Sequence, residues 1–289
     1  SGKSMLAQRI HTILPPLTLD EALEVSSIHS VAGVLSEDAP LLQWRPIRAP
    51  HHAASAASVI GGGAYARPGE VSLAHHGVLF LDELPEFTRH VLEGLRQPLE
   101  DGEVTISRSL RRVVYPAQFM LVASANPCPC GYLNHPKRVC TCSIREVEKY
   151  KKRASGPILD RIDLHVEVPA VEIDDLAQSE ATVSSRESSV LVRERIEKAR
   201  RIQEERFKDE KIQSNAEMKN AHLKKYVNLT PEVEQVLRQA ANKFQLSARS
   251  YFRMQKIART IADLDNAAHI ELKHMAEALQ YRPKIQYEE

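Results

Sequence analysis

The chain opens on Ser1-Gly2-Lys3-Ser4, the second half of the pattern G-x-x-x-x-G-K-[ST], and runs directly into the helical stretch Met5-Leu6-Ala7-Gln8-Arg9-Ile10. In such a loop backbone N–H groups wrap phosphates, the Lys reaches the β/γ oxygens, and the Ser hydroxyl holds Mg²⁺ at a helix N-terminus. That chemistry needs an acidic partner. Gly77-Val78-Leu79-Phe80-Leu81 is a continuous apolar run that ends in Asp82-Glu83. There Asp82 would hold the Mg²⁺, and Glu83 would orient or deprotonate the attacking water of an ATP hydrolysis. The bland alternative is a loop that caps the next helix, and the upstream G-K-S favours the nucleotide reading. A second apolar run, Phe119 to Ala125, ends in Asn126-Pro127. Asn126 is therefore a candidate to position the same water or touch the γ-phosphate, although Asn before Pro is also a common turn. ATP and Mg²⁺ are the expected cofactors.

Cys128-Pro129-Cys130 and Cys140-Thr141-Cys142 form a second constellation. Four thiolates match a closed tetrahedral zinc site, here with C-x-C rather than the commoner C-x-x-C spacing. Free thiols or a reversible disulfide are the alternatives, with His135 as a substitute ligand. His51-His52 and His75-His76 lack carboxylate partners at helical spacing and read as fold or interface residues. From Asp101 to Pro116 two β-like runs flank a turn region holding Arg108, Arg111 and Arg112, a hairpin with a basic end. Guanidinium groups there could follow phosphates without reading sequence. A basic hairpin in solvent is the alternative. In Gly61-Gly62-Gly63-Ala64-Tyr65-Ala66-Arg67-Pro68 the glycines offer flexibility, while Tyr65 and Arg67 could stack on or pair with a strand. The stretch from Arg193 to Arg206 mixes both signs at i,i+4 spacing, as a solvated, ion-paired helix does.

The elements that must position these residues follow from periodicity. The two apolar runs suit strands buried on both faces of a parallel sheet. Thr88 to Leu99 fits a helix between them, and Ile162 to Pro169 alternates like an edge strand. Residues 185–226 suit a long exposed helix or helical pair. Thr230-Pro231 supplies an N-cap with Pro at the first helical position. Helices then span roughly Pro231 to Lys243, Ser247 to Leu264 and Ile270 to Tyr281, and Pro283 ends the last. At 289 residues, 43% hydrophobic and 27% charged, the chain is of soluble globular composition with room for two domains. No apolar run approaches the ~20 residues needed to span a bilayer, and the four clustered cysteines argue against a disulfide framework. A cytoplasmic protein with no membrane partner is expected. A net charge of +1 is neutral on nucleic acid. The expected plan is α/β: a P-loop core over residues 1–170 with a cysteine loop at 126–144, a helical connector over 171–227, and an all-α domain over 228–289. Neither the first glycine of the loop nor the strand feeding it is present, so a fragment of a longer nucleotide-binding protein is expected. Such a piece would bind ATP weakly and form no stable ring.

The motif order resembles an AAA+ ATPase, and within that class the magnesium-chelatase-like proteins, above all the ComM (YifB-like) family. The resemblance is carried by Arg45 through His52 (RPIRAPHH), Arg67 through His75 (RPGEVSLAH) and Gly77 through Phe87 (GVLFLDELPEF). It continues in Ala125 through Tyr132 (ANPCPCGY), Ser155 through Pro169 (SGPILDRIDLHVEVP), Ser247 through Ser250 (SARS) and Ala258 through Leu264 (ARTIADL). Full-length relatives of this kind carry a further N-terminal domain. The resemblance implies an all-α lid and a homo-oligomeric ring, usually a hexamer, with ATP bound between subunits. It makes Arg161 the finger reaching a neighbour's γ-phosphate and Arg249 the sensor-2 arginine of the lid. An Asp-Arg-Asp surface ion network and a solvated helix residue are the respective alternatives. The basic hairpin and the glycine-rich stretch would be pore insertions gripping DNA. The implied role is a DNA helicase or branch-migration motor in natural transformation and recombination. The runner-up is a chelatase-type ATPase that remodels a protein partner for Mg²⁺ insertion into a porphyrin. A nucleotide-binding scaffold is the non-enzymatic alternative, against which Lys3, Asp82, Glu83 and Arg161 all stand.

Overall fold

The computed structural model describes residues 2–63, 65–108, 111–135, 137–154, 156–168 and 187–282. Its contacts divide the chain into two units, Ser1–Ile162 with Val168–Ser179, and Asp163–Glu167 with Glu180–Glu289. The first carries α1 (Lys3–Arg9), α2 (Leu19–Ala32), β1 (Ile47–Arg48), α3 (Ala56–Val59), β2 (Gly61–Gly62), β3 (Arg67–Pro68), α4 (Glu70–Leu73) and β4 (Val78–Leu81). It continues with α5 (Arg89–Gly94), α6 (Arg96–Asp101), β5 (Glu103–Arg108), β6 (Arg111–Pro116), β7 (Met120–Ala123), α7 (Ile144–Arg153) and α8 (Gly156–Leu159). The second carries α9 (Ser189–Phe207), α10 (Asn220–Tyr226), α11 (Pro231–Lys243), α12 (Ala248–Leu264) and α13 (Leu272–Gln280).

The first unit is a mixed α/β fold with a parallel sheet, as expected. Its strand order is β1-β4-β7, with Val78 to Leu81 pairing Met120 to Ala123 in register. All four β4 side chains are buried, on both faces of the sheet. β7 differs from the expectation: it is half-buried, and Met120 is 46% exposed, because among the described residues only β4 pairs with it. Gly77 lets the chain enter β4, since a Cβ there would lie 2.0 Å from the Pro46 carbonyl oxygen. That same oxygen accepts the Val78 N–H at 2.8 Å.

Thr88 to Leu99 forms two short helices rather than one. Thr88 caps α5, but Pro98 has no N–H to offer the Gly94 carbonyl, and the chain re-enters helix at Arg96. The basic hairpin is present, with β5 and β6 antiparallel from Glu103↔Pro116 to Arg108↔Arg111. Val104 and Ile106 anchor it in the core. The glycine-rich stretch is a second, smaller hairpin of β2 and β3, tied to the first by the Tyr115 hydroxyl, which donates to the Ala66 carbonyl at 3.0 Å. No strand forms over 162–168; the His165 N–H donates to the Tyr281 carbonyl at 2.9 Å instead of to the sheet.

In the second unit the described elements are helical. α9 and α10 occupy the expected connector, and α11 starts at Pro231 under a Thr230 cap. Ser247 and Glu271 cap α12 and α13. Leu237, Met254, Ala258, Ala262 and Met275 form the core, and buried Asp263 is held by Arg206 at 2.5 Å and Arg259 at 3.0 Å. The first half of the expected connector, 171–186, and Pro283 lie outside the described residues.

Two histidines of the first unit are buried in neutral form. Burial pushes His29 below the usual imidazole range against its bond to the Leu73 carbonyl. Burial does the same to His75, against its bond to Glu24. The unfolded chain therefore binds these protons first, so stability is full above about pH 6.5 and falls as pH drops below it. Urea unfolding of the chain between pH 7 and pH 5 should lose up to about 1.4 kcal/mol per pH unit for each histidine. His75→Gln should remove part of that slope, and a stability independent of pH over this range would contradict the assignment.

Candidate nucleotide-binding site

The site is the end of the parallel sheet. Gly2 takes the left-handed conformation (φ 89) and hands the chain to α1, which puts Lys3 and Ser4 in the first helical turn. Ser4 Oγ donates to Asp82 Oδ2 at 2.7 Å. Lys3 Nζ donates to the Ala125 carbonyl at 2.6 Å and lies 3.4 Å from Asn126 Oδ1. Three segments far apart in sequence, the α1 start, the β4 end and the β7 end, thus converge on one edge. This brings together Gly2, Lys3, Ser4, Asp82 and Asn126, with Glu83 next to Asp82; Ser1 lies outside the described residues.

Asp82 is the hub. Ser124 Oγ donates to its second carboxylate oxygen, and the Glu83 N–H donates to the same oxygen at 3.0 Å. Burial alone would raise Asp82; the hydrogen bonds from Ser124, Ser4 and the Glu83 N–H, with the Lys3 charge, hold it below the usual carboxylate range. An ionised Asp beside a Ser hydroxyl at a helix N-terminus is a hard-oxygen donor pair of the kind Mg²⁺ takes with phosphate oxygens and water. The residues present fit that ion.

Glu83 sits in the left-handed region at φ 54, ψ 50. A non-glycine residue there costs about 1–2 kcal/mol, so its surroundings must hold it. The Leu84 N–H donates to the Ser124 carbonyl at 2.9 Å, and His52 Nδ1 stands 3.5 Å from Glu83 Oε2. Tyr150 of α7, 4% exposed, is hydrogen-bonded to the Asn126 backbone.

Ser124, His52 and Tyr150 were absent from the sequence-derived site. Ser124 had a signal, two residues before Asn126 at the same strand end. The histidine pairs, expected to be fold or interface residues without carboxylates at helical spacing, meet carboxylates through tertiary contact instead. His52 meets Glu83, while His75 and His76 meet Glu24 at 3.0 and 2.9 Å. His75 Nδ1 accepts the Gln118 N–H at 3.0 Å, which leaves the proton on Nε2 to be donated to Glu24.

The remaining candidates stand elsewhere. Arg161 is turned inward: it pairs with Glu100, donates to the Pro157 carbonyl, and is 9% exposed. Arg249 is exposed in the first turn of α12, in the second unit. Arg112 is exposed on β6, and the side chains of Arg108 and Arg111 lie outside the described residues, as does Ala64. Tyr65 is 79% exposed, with the Arg67 guanidinium 5.9 Å from its ring centre.

The cysteines converge. Cys128, Cys130 and Cys140 sulfurs lie 3.4, 3.7 and 3.6 Å from one another, and all four sulfurs fall within 4.8 Å. Four sulfurs at 2.3 Å from a tetrahedral zinc stand about 3.8 Å apart, so the donor set fits that ion. The Leu133 N–H donates to Cys128 Sγ at 3.3 Å, and backbone N–H groups of Tyr132 and Thr141 bring the Cys130 thiol down to about 5. His135 is not in the cluster; its Nδ1 accepts the Lys137 N–H at 3.1 Å.

Comparison with known proteins covers nearly the whole chain. A family profile described as magnesium chelatase, subunit ChlI, matches residues 1–176, and one described as magnesium chelatase, subunit ChlI C-terminal, matches residues 186–282. Competence protein ComM of Haemophilus influenzae is 43% identical over 99% of this chain and 54% of its own length. The uncharacterized protein YifB of Escherichia coli is 42% identical over 98% of the chain and 54% of its own length. A Holliday junction branch migration complex subunit RuvB, from Bdellovibrio bacteriovorus, is 34% identical over 40% of the chain and 35% of its own length. The chain spans about half the length of the ComM and YifB relatives it matches.

Proposed function

The chain belongs to the magnesium chelatase, subunit ChlI, family, and from that premise we propose that the whole protein is an AAA+ ATPase that drives a ring along DNA. The observation that carries this reading is the convergence of Lys3, Ser4, Asp82, Ser124 and Asn126 on one sheet edge, with Glu83 beside them. The Gly2-Lys3-Ser4 turn, with Ser1, receives the phosphates of ATP, and Lys3 exchanges its carbonyl partner for phosphate oxygens. Ser4 and Asp82 hold Mg²⁺, which would supply charge neutralisation at the phosphates. Glu83 accepts the proton of the attacking water, and Asn126 orients that water. In a homo-oligomeric ring, six-membered by the ComM resemblance, Arg161 leaves Glu100 to reach a neighbour's γ-phosphate. The helices from Pro231 to Gln280 act as the lid and present Arg249.

Two neighbouring hairpins support DNA as the track: Arg108, Arg111 and Arg112 on one, Tyr65 and Arg67 on the other. ComM is named as a competence protein and RuvB as a branch-migration subunit. A role in recombination during DNA uptake, in the cytoplasm, follows for this protein. No described helix is long and apolar enough to cross a membrane. The family description favours a second reading, an ATPase that remodels a protein partner for Mg²⁺ insertion into a porphyrin.

The ATPase rate of the full-length protein, with and without single-stranded or branched DNA, separates the two. Glu83→Gln should lower the rate on the order of 10²–10⁴-fold, and Lys3→Ala should abolish it. DNA should stimulate the wild type, and Arg111→Ala/Arg112→Ala should lose that stimulation. An ATPase indifferent to every DNA would replace the DNA reading with the partner-remodelling one, and an unaffected Lys3→Ala would sink the ATPase itself.

The four cysteines serve a structural role through zinc, which joins the residues after Asn126 to the start of α7. Purified protein should contain one zinc per chain by elemental analysis, and Cys128→Ser/Cys130→Ser should abolish it and lower Tm. Metal-free protein of unchanged Tm would remove zinc from the account.

A further inference from the structure

A strong local charge excess of the first unit runs from the cysteine loop into α7. Residues 137–153 hold seven Lys and Arg against two Glu, in a chain whose net charge is only +1. Glu146 is engaged, closing a capping box with Ser143 at the start of α7, and Glu148, exposed, lies three residues after Arg145 and four before Lys152 without an ion pair among the described residues. On α7 the positions Arg145, Lys149 and Lys152 follow i, i+4, i+7, which places them on one helical face. All three are exposed, and among the described residues they form no ion pair. The other exposed cations of the region have partners: Arg153 pairs with Glu86 at 3.2 Å, and Arg138 donates to the Tyr132 hydroxyl at 2.6 Å with its guanidinium over that ring.

Two exposed aliphatics precede Arg145 in sequence. Val139 is 88% exposed and Ile144 79%, which with Tyr65 makes them the most exposed large hydrophobic residues described. A solvated helix face commonly pairs its cations with acids three or four residues away, and here Arg145 and Lys152 leave Glu148 unpaired. Unpaired cations spaced about 6 and about 4.5 Å along a helix axis, with bare aliphatics close by in sequence, match a polyanion that also offers apolar surface. Phosphodiester strands do so, with charge on the backbone and stackable bases beside it.

We propose that α7 and the cysteine loop form a second nucleic-acid contact, in which Arg145, Lys149 and Lys152 bind backbone phosphates of single-stranded DNA. This deepens the DNA-motor reading and rests on it. The side of the same helix turned away from the stripe carries Tyr150 to the Asn126 backbone, while Arg153, four residues after Lys149, ties the helix end to Glu86. A strand bound to the stripe is therefore one rigid helix away from the residues that orient water in the nucleotide site. Cysteine-bound zinc would fix that helix's N-terminal end, two residues beyond Cys142.

The test is titration of labelled single-stranded DNA with full-length protein across a salt series, for the wild type and for Arg145→Ala/Lys149→Ala/Lys152→Ala. Each lost phosphate contact lowers the slope of log K against log salt by about 0.7 for single strands. The triple variant should thus lose about 2 in slope, keep the wild-type ATPase rate without DNA, and lose DNA stimulation. An unchanged slope and stimulation would overturn the inference while leaving the motor reading intact. A wild type that binds no DNA would overturn both. Polyglutamate bound as tightly as DNA at equal ionic strength would overturn the nucleic-acid assignment in favour of an acidic protein partner. A far-UV spectrum and Tm equal to wild type show that the variant folds, and Arg112→Ala, on the separate hairpin, should change the slope independently.

Discussion

The structure turns on the Asp82 carboxylate. One oxygen is taken by Ser4 from the helix start, the other by Ser124 from the neighbouring strand end and by the Glu83 N–H. The carboxylate is kept ionised by these donors against a desolvation that works the other way. Asp82 can occupy that place only because β4 is buried on both faces and flanked by parallel partners, which fixes where the strand ends. Val78, Leu79, Phe80 and Leu81 together remove most of their apolar surface from water, a contribution of about 1.5–3 kcal/mol for each fully buried large side chain. Hydrophobic burial thus sets the geometry, and a few charge-assisted hydrogen bonds make it a site.

Glu83 shows what that rigidity permits. Its left-handed backbone is unfavourable for any side chain with a Cβ, and it persists because Leu84 and Asp82 are both tied down on either side. Strain of this kind concentrates where a side chain must be aimed rather than packed. His52 reaches the Glu83 carboxylate from the loop after β1, with Nδ1 3.5 Å from Oε2. The proposed nucleotide chemistry and the fold therefore meet at one strongly constrained dipeptide.

Much of this was legible in the sequence because the signals were local. A G-K-S turn at a helix start, an apolar run ending in Asp-Glu and a Thr-Pro cap before α11 each act over a few residues, and each appears where expected. The basic hairpin and the convergence of four cysteines were also readable, from a turn between two β-like runs and from C-x-C spacing. What escaped depends on tertiary contact. Ser124 serves Asp82 only because β4 and β7 are in register, and the histidine pairs find Glu83 and Glu24 across the fold. Pro98 splits a helix whose apolar periodicity is continuous, a case of one missing donor overriding a pattern. The alternating run at 162–168 has the period of a strand but gives its main chain to Tyr281 instead. The cationic stripe of α7 is hidden in a one-dimensional charge count, because its meaning lies in which acids are already engaged.

The account's central claim is that Ser4 and Asp82, the latter oriented by Ser124, hold the divalent ion of a bound nucleotide. Titration of the full-length protein with Mn²⁺ and ATP, followed by electron paramagnetic resonance, measures this directly with the ion itself as the probe. The wild type should immobilise one Mn²⁺ per chain in an ATP-dependent manner, and Asp82→Ala should lose that signal while retaining its fold by circular dichroism. An Asp82→Ala protein that immobilises Mn²⁺ with ATP as the wild type does would place the ion elsewhere and contradict the account.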